Sequence, residues 1–170
     1  MDLVSLILYI FPAYVANSAP VLFGGGAPID FKRHLPDGNR LLGNSKTLRG
    51  LGAGLAAGMF AGVLLAYLLP NMFLPFLSFR LKIWVAFLLA SGTLFGDLLG
   101  SFIKRRMNLK PGEPFFLTDQ LLFLVMALAF SSLVFIPSYS EIIYLFLLTF
   151  ILHVLLNILA HRLNLKRVPW

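Results

Sequence analysis

The chain has 170 residues, 59% of them apolar and 12% charged, with a mean hydropathy of +0.87. An ordinary soluble domain is about 45–50% apolar and about 25% charged, so the composition excludes a water-soluble globular enzyme and a disordered chain. It leaves one all-α integral membrane domain over residues 1–170. The net charge of +7 must sit in loops, and with no cysteine there are no disulfides, thiolate metal sites or Cys nucleophiles.

A hydrocarbon core about 30 Å thick needs roughly 20 apolar residues as helix. Five stretches meet that length, at about 3–23, 51–69, 83–103, 117–136 and 142–163. The first does not read as a signal peptide: only Asp2 precedes it, and its apolar run continues past Pro12. Asn17 and Ser18 sit between Pro12 and Pro20, where a broken helix end would free backbone groups.

The loop 24–50 is long and polar. Its segment PIDFKRHLPDGNRLLGNSKTLRG mixes Gly38, Gly43, Asn44, Ser45 and Thr47 with Lys32, Arg33, Arg40, Lys46 and Arg49. GNSKT lacks Walker spacing, so no P-loop fold follows. Backbone N–H groups of Gly-rich turns, a Lys, a Thr hydroxyl and an Arg fork still suit phosphate oxygens. The competing reading is a solvated loop held to anionic headgroups. His34 has no assigned role.

The second stretch carries Gly50, Gly54, Gly58 and Gly62 at intervals of four, with Ala53, Ala57 and Ala61 alongside. Small residues at this spacing let helix backbones approach closely, within one bundle or between chains, which leaves a homo-oligomer open. The loop 70–82 is short. The third stretch repeats the device with Gly92, Gly96 and Gly100, and places Thr93, Asp97, Ser101 and Lys104 on one helical face. An intramembrane carboxylate is costly and marks a functional site by default; the structural alternative pairs Asp97 with Lys104 or Arg105.

The loop 104–116 adds Lys104, Arg105, Arg106 and Lys110. Asp119 then opens the fourth stretch, where a helix N-terminus favours an acid for its own sake. Two carboxylates on adjacent helices near one membrane surface also suit a divalent cation, and Mg²⁺ prefers one or two carboxylates with substrate phosphates and water. The fifth stretch carries Thr149, His153, Asn157 and His161 four apart, read as an interior polar seam rather than a metal site.

With Arg162, Lys166 and Arg167, the bases gather on one side and leave only Arg80 and Lys82 on the other. The positive-inside rule then predicts the N-terminus outside and the C-terminus cytoplasmic, in a multi-pass protein of the cell membrane. Asp30, Asp37, Asp97, Glu113 and Asp119 fall with the bases, which topology alone does not require. A transporter would carry polar groups near several midplanes and internal repeats, and no convincing repeat is present. A bundle subunit that binds anionic lipid explains the basic loops but not Asp97.

Gly96-Asp97-x₃-Ser101-x₂-Lys104-Arg105-x₄-Lys110, followed by Pro111 and Asp119, resembles the C-terminal signature of the CDP-diacylglycerol synthase superfamily. Pro28 to Phe31, Gly43 to Gly50, the Asp119-Gln120 pair and the final Val-Pro-Trp are similar to its short archaeal branch, the CDP-archaeol synthases, from Pro12 to Trp170. The resemblance implies a membrane cytidylyltransferase that moves CMP from CTP to an isoprenoid ether-lipid phosphate, 2,3-di-O-geranylgeranylglycerol 1-phosphate. It implies Mg²⁺ as cofactor and pyrophosphate as product; the neighbouring alternative acts on phosphatidate. By position Asp97 and Asp119 match the metal carboxylates, and Lys104 and Arg105 the basic pair. Asn44, Lys46, Thr47 and Arg49 are placed against CTP from position and chemistry, at an active site on the cytoplasmic face, with no nucleic acid partner. The chain departs from the bacterial pattern: PGEPFFLT replaces a His-Gly-Gly element, and Gln120 and Leu122 replace the Arg and last Asp of Asp-Arg-x-Asp.

Overall fold

A computed structural model describes residues 1–109, 113 and 115–162, without the side chains of 116–120, 156, 157 and 159–161. The five apolar stretches of the sequence correspond to five helices in chain order: α1 Leu3–Phe23, α2 Leu48–Leu68, α3 Phe79–Arg106, α4 Phe116–Ser131 and α5 Tyr139–Arg162. Lys110, Pro111, Lys166, Arg167 and the final Val-Pro-Trp, singled out in the sequence, lie outside the described residues.

Hydropathy located the helices, but polar caps set their ends. Asp2 accepts from the Ser5 N–H at 2.7 Å and starts α1. Thr47 accepts from the Gly50 N–H at 3.1 Å, so α2 starts at Leu48 rather than 51. Ser78 caps α3, which starts at Phe79 rather than 83 and runs on to Arg106. Each cap satisfies a backbone donor that the helix leaves open. Ser138 and Glu141 exchange side-chain and backbone bonds at the start of α5, the capping-box arrangement. The fourth helix ends at Ser131 rather than near 136, because Val134 and Phe135 turn back onto the Ser131 carbonyl.

Helix α1 is continuous through both prolines, so the helix is not broken at Asn17 and Ser18. Pro20 has no N–H for the carbonyl of Ala16. That carbonyl instead lies against α2, where a Cβ on Gly54 would stand 2.8 Å from it. Close glycine packing shelters the freed oxygen.

The same device builds the bundle. A Cβ on Gly58 would meet Ala90 and Ala16 side chains at 2.8 and 2.9 Å, and one on Gly62 would meet Ala86 at 2.1 Å. The α2 ridge therefore packs between α1 and α3. A Cβ on Gly92 would lie 2.4 Å from the Met126 carbonyl, and one on Gly96 2.7 Å from the Leu122 carbonyl, so α3 meets α4 backbone to backbone. Both ridges pack inside one chain.

Tyr9, Ile10, Leu89, Leu124 and Leu145 fill the core. The Tyr9 hydroxyl pairs with Ser131 at 2.6 Å and the Tyr14 hydroxyl with Thr149 at 2.7 Å, tying α1 to α4 and α5. Phe60, Tyr67, Trp84, Leu147 and Ile151 are exposed on the outside, an apolar exterior suited to lipid. Among the described residues α1, α2 and α3 are long and apolar enough to cross a membrane. The 16 residues of α4 reach about 24 Å at 1.5 Å per residue.

Candidate active site

The loop between α1 and α2 is built around one carboxylate. Ala27 and Ile29 pair antiparallel with Lys46 and Leu48: the Ile29 N–H donates to the Lys46 carbonyl at 2.8 Å, and the Leu48 N–H to the Ala27 carbonyl at 3.0 Å. Asp30 follows at once and is buried, with 3% of its surface exposed. It accepts from the backbone N–H groups of Lys32, Leu42 and Gly43, each at 3.1 Å, and from the Arg40 guanidinium. Burial pushes its carboxyl up, but Arg40 and the three amides more than offset this and hold it well below the usual carboxylate range. Arg40 also donates to the Asn44 side-chain oxygen.

This loop is docked on the end of α3. Arg106 pairs with Asp37 at 2.8 Å, donates to the Arg40 carbonyl at 2.6 Å and lies over the Phe102 ring at 5.2 Å. Asn39 donates to Asn108 at 2.6 Å. Where loop and helix meet there is a cavity of about 260 Å³ lined by His34, Asn39, Arg40, Gly43, Asn44 and Arg105. His34, without a role in the sequence reading, thus sits in a polar pocket.

Lys46 reaches Asp97. Its Nζ lies 2.6 and 2.7 Å from the two carboxylate oxygens, and the Asp97 side chain keeps 35% of its surface exposed. The structural alternative raised by the sequence paired Asp97 with Lys104 or Arg105. Lys104 instead turns toward the α3–α4 connection and donates to the Glu113 carbonyl at 3.1 Å. Along the predicted face Thr93 is fully buried one turn deeper, and Ser101 donates to the Asp97 carbonyl at 3.0 Å.

Gly92 opposes Met126 and Ala127, and Gly96 opposes Leu122 and Phe123, so α3 and α4 run antiparallel. Asp119 lies one helical turn before Leu122 and Phe123, which brings its backbone to the end of α4 beside the Asp97 stretch. Its side chain lies outside the described residues, as do those of Asn157 and His161. Among the described residues no cluster of three or more His, Asp or Glu is present.

The remaining predicted residues divide by position. Arg105 joins the first loop at the cavity. Asn44 is exposed and held by Arg40. Arg49 is exposed on the first turn of α2. Thr47 is buried, with its oxygen engaged as the α2 cap. Asp30, Asp37, Asn39 and Arg106 carry much of the loop geometry; from sequence Asp30 and Asp37 were legible only as carboxylates gathered with the bases, and Asn39 and Arg106 carried no signal. The Asp30–Arg40 separation of ten residues follows no helical or strand period, and only the folded turn joins them.

A helical bundle with an apolar exterior and a cluster of opposite charges at one end defines a membrane-embedded protein with a polar, charged end. The family model described as CarS-like, CDP-archaeol synthase, matches residues 1–170, and the chain belongs to that family. A CDP-archaeol synthase of Pyrococcus furiosus is 48% identical over 162 residues, covering 95% of each chain. One from Methanococcus maripaludis strain C6 is 47% identical over 173 residues, covering 99% of this chain and 97% of the relative. A solved structure described as an intramembrane enzyme for archaeal membrane lipid biosynthesis superposes with a TM-score of 0.80 at 41% identity. It covers 89% of this chain and 92% of its own.

Proposed function

We propose that this chain transfers CMP from CTP to 2,3-di-O-geranylgeranylglycerol 1-phosphate and releases pyrophosphate. The observation that carries the reading is the Lys46–Asp97 pair, in which a glycine-rich loop delivers a cation to an intramembrane carboxylate. Full-length family membership supplies the reaction.

The chemistry required is modest. A phosphate monoester has a second pKa of about 6 and is mostly dianionic at pH 7, so no strong general base is needed. A lipid phosphate oxygen attacks the α-phosphorus of CTP; the new P–O bond forms as the bond to the bridging pyrophosphate oxygen breaks. The obstacle is repulsion between two polyanions. Lys46, Arg49, Lys104 and Arg105 hold the triphosphate and lipid phosphate, and Asn44 and Thr47 add polar contacts. Catalysis is then positioning and electrostatics.

Asp97 fits a hard divalent cation: its two oxygens already share one cationic group, and a third of its surface is open. Asp97 and Asp119 would hold Mg²⁺. When bound there, the ion neutralises phosphate charge and orients substrate oxygens.

We place all five helices across the cell membrane, with the N-terminus outside and the site cytoplasmic. Docking of the first loop on the end of α3 supports this, since it gathers two of the three basic segments at one end of the bundle.

The test is pyrophosphate release from CTP by purified protein, with the geranylgeranyl ether-lipid phosphate or phosphatidate as acceptor, each with and without Mg²⁺. Release that needs both Mg²⁺ and the ether lipid is expected. Faster reaction with phosphatidate would move the chain to the ester-lipid reaction. Folded protein inert with both would overturn cytidylyl transfer.

A further inference from the structure

We infer that Asp30 is a positioning residue for CTP, acting through the turn that carries Asn44 and Lys46. This rests on the function proposed above and adds a residue that touches no substrate.

The connections around Asp30 form a closed circuit. Its neighbour Ile29 donates to the Lys46 carbonyl at 2.8 Å. Its own carboxylate takes the N–H groups of Leu42 and Gly43 at 3.1 Å, at the other end of the same turn. Between these anchors Gly43 adopts φ +121, a conformation that side-chain-bearing residues rarely take. Lys46 therefore leaves the turn from a backbone fixed on both sides, and its ammonium lies on Asp97. The Arg40 guanidinium is shared between Asp30 and Asn44, so one carboxylate also sets the Asn44 side chain.

Two further features favour a functional constraint. Phe31 and Lys32, directly after Asp30, have φ +45 and +63, an uncommon conformation for residues other than glycine. Such strain persists only where surrounding contacts over-determine it, and here the Lys32 N–H bond to Asp30 holds it. The circuit also encloses no large apolar cluster. Asp30 orders a polar loop at the end of the bundle, whereas the core lies among the helices.

The experiment compares wild type, Asp30→Asn, Lys46→Met and the double variant, reading KM for CTP, kcat and CTP affinity by equilibrium binding. Trypsin cleavage after Lys32, Arg33 and Arg40 is followed without substrate. Asp30→Asn is expected to raise KM and the CTP dissociation constant about tenfold, with kcat within about threefold, the helical melting midpoint retained and loop cleavage faster. In the Lys46→Met background the added effect of Asp30→Asn on CTP affinity is expected to shrink to about threefold or less, because one of the two positioned groups is gone and only Asn44 is left. Should Asp30→Asn fail to fold, Arg40→Gln carries the same comparisons, with cleavage read after Lys32 and Arg33 only, since it removes the charged partner and leaves the three backbone donors.

Unchanged CTP affinity and loop cleavage would overturn the proposal. So would equal losses in the Lys46→Met and wild-type backgrounds, which would mark a general structural role. The binding and cleavage measurements stand apart from turnover: wild type that binds CTP but releases no pyrophosphate would count against the reaction, not against Asp30.

Discussion

At Asp97 the described partner is a side-chain cation, and the proposed Mg²⁺ would have to share it. The carboxylate meets the Lys46 ammonium through both oxygens, and a substrate phosphate would compete for the same ammonium. Asp97→Asn keeps the size of the side chain and removes its charge. It is expected to lower Mg²⁺-dependent turnover at least about a hundredfold in folded protein, and Asp119→Asn likewise; near wild-type turnover in either would remove that residue from the metal assignment. On the proposed reading Lys46→Met would delete one charged contact to phosphate, at about 1.5–3 kcal/mol, and is expected to cut kcat/KM for CTP roughly ten- to a hundredfold. Asp30 gives a pH signature. Its folded pKa lies below the ordinary 3.8, so its stabilisation is complete above that value and lost as pH falls through the depressed one. Hydrogen exchange at Leu42 and Gly43, corrected for intrinsic rate, should keep its protection at pH 5 and begin to lose it only below about 3.8. Asp97 was legible in sequence because a carboxylate inside an apolar helix is conspicuous. Its partner was not, because Lys46 is 51 residues away in a loop with no period.

At the scale of the helix, sequence marked which faces are small but not what they meet. The four-residue glycine spacing was plain in α2 and α3, yet only the fold assigns the first ridge to α1 and α3 and the second to α4. Gly96 is decisive for the site, because a Cβ there would stand 2.7 Å from the Leu122 carbonyl and the Phe123 Cα. Neither is the end of a flexible side chain, so α4 must shift and carry Asp119 with it. Gly96→Ala is expected to lower thermal stability by about 1–3 kcal/mol and turnover with it. Gly52 is the control on α2: a Cβ there meets nothing within 4 Å, so Gly52→Ala should be neutral or stabilising by up to about 1 kcal/mol. Melting of the two variants side by side checks the contrast. Helix ends were less legible than helix centres, since Thr47, Ser78 and Ser138 set them through single polar contacts that hydropathy does not register.

For the whole molecule, the charge pattern and the fold agree on one point: the first loop and the end of α3 share one end of the bundle. Which side of the membrane that end faces is open to direct test, because the chain contains no cysteine. His34→Cys and Arg80→Cys place single thiols on exposed residues at opposite ends. In right-side-out vesicles a membrane-impermeant maleimide is expected to label Arg80→Cys and spare His34→Cys; the reverse would invert the orientation. Helix number and order were legible because five apolar runs are separated by polar or proline-bearing segments. The loop architecture was not, because it rests on contacts between residues far apart in the chain.

The glycine ridges have a thermodynamic consequence. Lipid tails are as apolar as leucine, so water gives no drive for helices already in the bilayer to associate. Contacts made by glycine and alanine immobilise almost no rotamers. The α1–α2–α3 core therefore forms without the side-chain ordering that a leucine interface would require. Its cohesion comes from dispersion between backbones, which depends little on whether the surroundings are ether lipid, ester lipid or detergent.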